Sequence, residues 1–155
     1  MKFRKATKKD VPYIVKMLAD DPLGKEREVY QDPLPKRYYD AFYAIDNDNN
    51  QELIVIEDEA EAIIGTLQLS FIPYLTYQGG IRAQLEAVRI SADKREKGIG
   101  ALALQWAMRR AKERGAHLLQ LTTDKKRLEA LKFYEKLGFL ASHEGMKLHF
   151  KAENR

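Results

Sequence analysis

Apolar positions along this chain fall into short runs of alternating or continuous type and two longer stretches of helical period. Residues 2–7 predict a short first strand. Asp10 reads as an N-cap with Pro12 just inside the helix that follows, and Ile14, Val15, Leu18 and Ala19 give that helix an apolar face. It ends near Asp20-Asp21-Pro22, because a residue before proline avoids the α region. Residues 20–35, DDPLGKEREVYQDPLP, are polar and broken by three prolines and a glycine. A second helix is predicted from about Pro35 to Ile45, with Tyr38, Tyr39, Phe42 and Ile45 on one side.

After a turn at Asn47 to Asn50 come QELIVIED, AIIGTLQLSFIPYL and IRAQLEAVRI, separated by EDEAE and by TYQGG. These runs predict three successive antiparallel strands with the second hairpin turn at Tyr77 to Gly80. From Ile99 the period lengthens: Leu102, Ala103, Trp106 and Ala107 follow at helical spacing to about Arg114, and Gly115 stands where a helix-ending glycine is expected. AHLLQLTT (116–123) predicts a fifth strand, and residues 125–139 a second amphipathic helix closed by Gly138. Met146, Leu148 and Phe150 alternate, which predicts a terminal strand. The order β, α, α, β, β, β, α, β, α, β is that of an α+β (mixed α/β) fold in a single domain over residues 1–155, with no repeat, linker or low-complexity tract.

Charge and composition narrow the chemistry. The 155 residues include 27 Lys+Arg against 23 Asp+Glu, a net +4. So mild an excess suits a polyanionic ligand such as a nucleotide cofactor and is too diffuse to argue for nucleic acid. There is no cysteine, which excludes disulfides, thiolate zinc sites and a cysteine nucleophile. His117, His143 and His149 lack metal-ligand spacing, so no metal is expected. The charged N-terminus has no apolar signal region, and no run reaches the ~18 apolar residues of a membrane span. The expected compartment is the cytoplasm.

The stretch Lys94-Arg95-Glu96-Lys97-Gly98-Ile99-Gly100-Ala101 then poses a question, since glycine weakens a helix and two of them open one here. A helix N-terminus offers unpaired N–H groups and a positive dipole end, so glycines there leave room for phosphate oxygens. The P-loop string G-x-x-x-x-G-K-[ST] is absent. Gly98 to Ala103 matches the dinucleotide pattern G-x-G-x-x-A, and Asp124 follows the next strand as a ribose-binding acid would. Against that reading, the segment SADKREK separates Ile90 from Gly98, and too few residues follow for a doubly wound sheet.

A third reading rests on two motifs. Arg95 to Gly100 matches R/Q-x-x-G-x-G/A, and Ala130 to Phe139 matches A-x-x-F-Y-x-x-x-G-F. Together with the strand Leu85 to Ile90 before them, they resemble the GNAT superfamily of acetyl-CoA-dependent N-acetyltransferases, and the resemblance covers nearly the whole chain. It implies a central, mostly antiparallel sheet of six to seven strands, with strands 4 and 5 splayed, flanked by about four helices. It implies acetyl-CoA as co-substrate, with the pantetheine arm on the main chain of Val88, Arg89 and Ile90 and the pyrophosphate on Lys94, Arg95, Glu96, Lys97, Gly98, Ile99, Gly100 and Ala101. Glu86 would accept the proton of the attacking amine, through water, and Tyr134 would protonate the leaving thiolate. Many relatives carry asparagine where this chain has Arg127, which stands as a further candidate cofactor contact.

Each residue also has a plainer reading. Glu86 reads equally as a solvated strand residue, Tyr134 as a packing residue, and the cations of 94–97 as a solvated run. Asp20, Asp21, Glu26, Glu28 and Asp32 in the loop between the first two helices suit a cationic amine. The expected acceptor is a primary amine of a small molecule. A protein or peptide acetyltransferase and a non-catalytic acyl-CoA-binding regulatory domain are the alternatives. No nucleic acid or membrane partner is expected, and a homodimer is compatible with the sequence.

Overall fold

The structure is a computed structural model that describes residues 1–22 and 24–150. These fall into two compact units, residues 1–121 and residues 122 onward.

The first unit is built on a five-stranded sheet in the order β1 (Lys2–Lys5), β2 (Gln51–Glu57), β3 (Ile63–Pro73), β4 (Ile81–Ile90) and β5 (Leu118–Gln120). Neighbours are antiparallel except β4 and β5, which run parallel. The helices are α1 (Val11–Ala19), α2 (Lys36–Asp46), a four-residue turn α3 (Thr76–Gly79) and α4 (Ile99–Glu113). The meander, the two leading helices and α4 thus stand where the sequence pattern puts them. The hairpin turn at Tyr77 and Gln78 is left-handed (φ 51° and 58°), so α3 is a tight reversal rather than a fifth packing helix.

Strand alternation sends side chains to opposite sheet faces. On one face Val55 packs with Ala6, Val11, Ile14, Val15 and Phe42, which seats α1 and α2 there. On the other, Ile54, Ile56, Leu67, Leu69, Ala83 and Leu85 are buried, as are Ala103, Leu104, Ala107 and Ala111 of α4. Trp106 of α4 stacks on Phe3 of β1 with ring centroids 5.1 Å apart and planes 4° from parallel. The small alanines along α4 let the helix lie close to the sheet, and Trp106 fills the space over its edge.

Two ion-pair clusters tie these layers together. Glu52 of β2, buried in the α4 face, accepts from Arg110 Nε and Nη2 (2.9 and 2.7 Å) and from Arg114 Nη1 (2.6 Å). Burial raises its carboxyl pKa and the two guanidiniums lower it by more, so the net shift is downward. At the other face Arg4 bridges Asp10 (2.7 Å) and Glu57 (2.6 Å). Asp10 does not cap α1 with its side chain; it turns back to accept from the Thr7 N–H (2.7 Å) and hydroxyl (3.0 Å), closing a 3-10 turn at Lys8–Asp10.

The second unit holds α5 (Leu128–Lys136), shorter than the 125–139 that periodicity suggests. The predicted terminal strand is a correction. No residue from 140 to 150 is in a strand, and Leu140, Met146, Leu148 and Phe150 are exposed. Three alternating apolar residues specify a strand only where a neighbour supplies ladder partners, and these residues have no ladder. The sheet therefore has five strands among the described residues, not six to seven. No helix is long and apolar enough to cross a membrane, among the described residues.

Removing the Glu52 charge leaves two guanidiniums without the buried anion they share. Glu52→Gln is expected to lower unfolding free energy by about 3 kcal/mol, read from urea midpoints. Because the folded-state pKa is depressed, the wild-type contribution is present above the ordinary carboxylate range and is lost as pH falls through the lower folded value. The variant should lose less stability than the wild type between neutral and acid pH.

Candidate active site

β4 departs from regular geometry where it matters. Gln68 pairs with Glu86 and Thr66 with Arg89, so the single residue Leu67 faces two residues, Ala87 and Val88. This is a β-bulge, with Ala87 held at φ 52°. A left-handed non-glycine residue costs roughly 1–2 kcal/mol, so the surrounding pairing imposes it. The bulge resets the alternation: Glu86 and Arg89, which would otherwise point to opposite faces, both point to the α1/α2 face. It also takes Val88 out of the ladder's rhythm, and the Val88 carbonyl accepts from Arg89 Nη1 at 2.8 Å.

On its other side β4 pairs with β5 for only three residues, Arg82 with Leu118, Ala83 with Leu119 and Gln84 with Gln120. The last pair is closed by a hydrogen bond from Gln120 Nε2 to Gln84 Oε1 (2.7 Å). From Leu85 onward no β5 residue continues the ladder. Glu86, exposed, stands just past the last β4–β5 pair.

Beyond Ile90 the chain makes a 3-10 turn at Ala92–Lys94 and enters α4 through Gly98, whose φ of 75° is left-handed. A Cβ at Gly98 would meet nothing within 4 Å. The glycine is thus required by its backbone angle, and the space beside it is clear of protein. No side chain caps the helix, and its first N–H groups have no intrahelical acceptor. Glu96 is also left-handed (φ 63°), so the loop turns twice before the helix. Arg95 Nε donates to the Ile90 carbonyl and Lys97 Nζ to the Asp93 carbonyl, both at 3.2 Å. Lys94 Nζ lies 3.5 Å from Asp58 Oδ2. Hydrogen bonds from the Ala62 and Ala60 N–H groups, and then Lys94, hold the Asp58 carboxyl below its ordinary range. The residues from Glu86 to Ala101 are thus brought into one continuous path: bulged strand, turn, helix start. A phosphate-bearing ligand fits this donor set, which has bare amides and flanking cations, with no protein atom within 4 Å of where a Gly98 Cβ would stand.

The loop after α1 is anchored to the same strand. Arg89 Nη2 lies 3.5 Å from Asp21 Oδ2, with both side chains largely buried. Gly24 sits so close to α1 that a Cβ there would be 1.9 Å from the Leu18 carbonyl oxygen. Further along, the Tyr38 hydroxyl accepts from the Val29 N–H (2.9 Å) and donates to Glu28 (3.1 Å). Two of the five loop acids, Asp21 and Glu28, therefore serve the protein itself.

In the second unit Tyr134 is half-buried on α5, edge-on to Phe133 and Phe139 at 5.4 and 5.9 Å. Arg127 is exposed at the start of that helix. What sequence reading missed is the bulge, for which Ala87 gives no glycine signal, and the polar side chains beside Glu86. Their signal was present in β4, where Arg82, Gln84 and Glu86 alternate with buried Ala83 and Leu85.

β4 thus runs on past its short ladder with β5 and leads into a helix opened by Gly98. The family model described as the acetyltransferase (GNAT) family matches residues 16–139. This chain belongs to that family. Among solved structures it is similar to a transcriptional regulator from Bacillus halodurans C-125, at 56% identity and TM-score 0.92, over 96% of this chain and 99% of that one. It shares its fold with glucosamine-6-phosphate N-acetyltransferase from Arabidopsis thaliana, at 21% identity and TM-score 0.77, over 96% and 97%. The same holds for a predicted acetyltransferase from Clostridium acetobutylicum solved with acetyl-CoA, at 24% identity and TM-score 0.73, over 96% and 95%. No curated protein matches the chain.

Gly98→Ala is expected to cost about 1 kcal/mol through its left-handed backbone alone, since no protein atom clashes. Gly98→Asn should recover part of that loss, because asparagine tolerates this region. Thermal melting of both variants checks the order.

Proposed function

We propose that this enzyme transfers the acetyl group of acetyl-CoA to a primary amine of a small molecule, by direct attack within a ternary complex. The observation that carries this reading is the bulged end of β4. There the β5 ladder has already ended, Glu86 and Arg89 share the α1/α2 face, and the chain leads through a 3-10 turn to the bare amides of α4. The Clostridium acetobutylicum relative solved with acetyl-CoA supports the cofactor assignment.

The main chain of Val88, Arg89 and Ile90 pairs with the pantetheine arm as an added strand would. Amides from Arg95 to Ala101 hold the pyrophosphate, with Lys94, Arg95 and Lys97 adding charge, and Arg127 is a further candidate cofactor contact. Acetyl-CoA supplies an activated acyl carbon and a thiolate leaving group. An ammonium has no lone pair, so Glu86 takes its proton, through water. Tyr134 gives its phenolic proton to the departing sulfur. The balance is one N–C bond formed, one C–S bond broken, and one proton moved at each end. Positioning supplies much of the remaining rate.

A second reading, an acyl-CoA-binding regulatory domain without turnover, is favoured by the description of the Bacillus halodurans relative as a transcriptional regulator. Thiol release separates the two. The enzyme reading expects CoA binding by calorimetry in low-salt buffer and amine-dependent thiol release from acetyl-CoA. Binding without release under any amine leaves the regulatory reading, and no binding removes both.

Tyr134→Phe is expected to lower turnover by roughly 10²-fold or more while acetyl-CoA affinity changes little; unchanged turnover removes Tyr134 as the acid. Glu86→Gln is expected to lose rate that raised pH partly restores. An unaltered pH–rate profile removes Glu86 as the proton acceptor.

A further inference from the structure

The α1/α2 face of the sheet carries a row of amides beside Glu86. Register places Gln51 opposite Ser70, Ser70 opposite Gln84, and Gln84 opposite Gln120, with Gln68 opposite Glu86. These six side chains therefore share one face across β2, β3, β4 and β5. All except Glu86 are half-buried.

They are wired to one another. Gln51 Oε1 accepts from Gln68 Nε2 (3.0 Å) and from the Ser70 hydroxyl (2.7 Å), and Gln84 Oε1 accepts from Gln120 Nε2 (2.7 Å). Each glutamine thus spends one end of its amide on a neighbour. Among the described residues, the other end has no protein partner: Gln51 Nε2 and Gln84 Nε2 remain as donors, Gln68 Oε1 and Gln120 Oε1 as acceptors. Half-buried polar ends left unpaired are costly when water is displaced by apolar matter.

Most charge on this face is engaged within the protein: Arg4 pairs with Asp10 and Glu57. Arg89 is paired with Asp21. The Arg82 guanidinium lies over the Tyr74 ring, 5.1 Å from its centroid. Glu86 is the one carboxylate of the row, enough for one ammonium and too little for a linear polyamine.

We infer that the acceptor is a small amine carrying hydroxyl groups, its nitrogen at Glu86 and its hydroxyls on the free ends of Gln51, Gln68, Gln84 and Gln120. This rests on the acetyl-CoA reading above and adds the acceptor's chemistry. A hydroxyl both donates and accepts at one atom, so it satisfies interleaved donors and acceptors. Neighbouring strands lie ~4.8 Å apart, so the row is about 14 Å long, the span of a small molecule.

The test is a panel assayed for thiol release at saturating acetyl-CoA, with CoA binding measured separately. It holds an amino sugar, an amino alcohol, the alkylamine of matching carbon count, a linear polyamine and a short peptide with a free N-terminus. The hydroxylated amines should exceed the alkylamine in kcat/KM by roughly tenfold or more. Gln84→Leu and Gln51→Leu should each raise KM for the hydroxylated amine by roughly tenfold, with KM for acetyl-CoA within about twofold. If CoA binds but the alkylamine, polyamine or peptide is preferred, or no hydroxylated amine reacts, the inference is overturned while the cofactor reading stands. If CoA does not bind, the cofactor reading falls and the inference with it. The wild-type panel decides this even where a variant fails to fold.

Discussion

β4 pairs from end to end on one side, save at its bulge, and for only three residues on the other. A strand in mid-sheet ordinarily spends its backbone on two neighbours. Here the β5 ladder stops at Gln84 and Gln120, and the bulge at Ala87 breaks the rhythm on the β3 side. The site is built from these two interruptions. One leaves main chain without a ladder partner, and the other rotates Glu86 and Arg89 onto a common face. Arg89 then uses that face to hold Asp21 and, with it, the start of the loop that leaves α1.

The rest of the first unit keeps that interrupted strand in place. α4 is pinned to the sheet by the Glu52 ion pairs at its C-terminal end and by Trp106 on Phe3 midway. Its N-terminal end is left without a capping side chain. A helix held firmly elsewhere can keep bare amides aimed in one direction, which is what an anion site needs. Buried charge serves the scaffold here, while the exposed charges of Arg95, Glu96 and Lys97 stand at the loop.

Much of this was legible in the sequence. Residues 81–90 read as a strand with matching bounds, because Ile81 and Gly80 mark its start and Ser91 leaves the apolar rhythm. Gly98 was legible as a helix-opening glycine, and its left-handed angle supplies the reason. The bulge was not, since Ala87 is a residue that normally avoids positive φ and only tertiary pairing forces it there. Met146, Leu148 and Phe150 misled, because alternation specifies a face but cannot supply the neighbour that a strand requires. The amide row lay in plain alternation along β4, yet its meaning depends on register with β2, β3 and β5, which no single strand encodes.

The central claim is that the segment from the β4 bulge to the first turn of α4 is one cofactor surface. Amide chemical shifts of the nitrogen-15-labelled chain, followed during titration with CoA, test it most directly. The account predicts the largest shifts at residues 86–101, with resonances of α1, β1 and the C-terminal end of α4 nearly unmoved. Shifts spread evenly over the chain, or centred away from that segment, would contradict it.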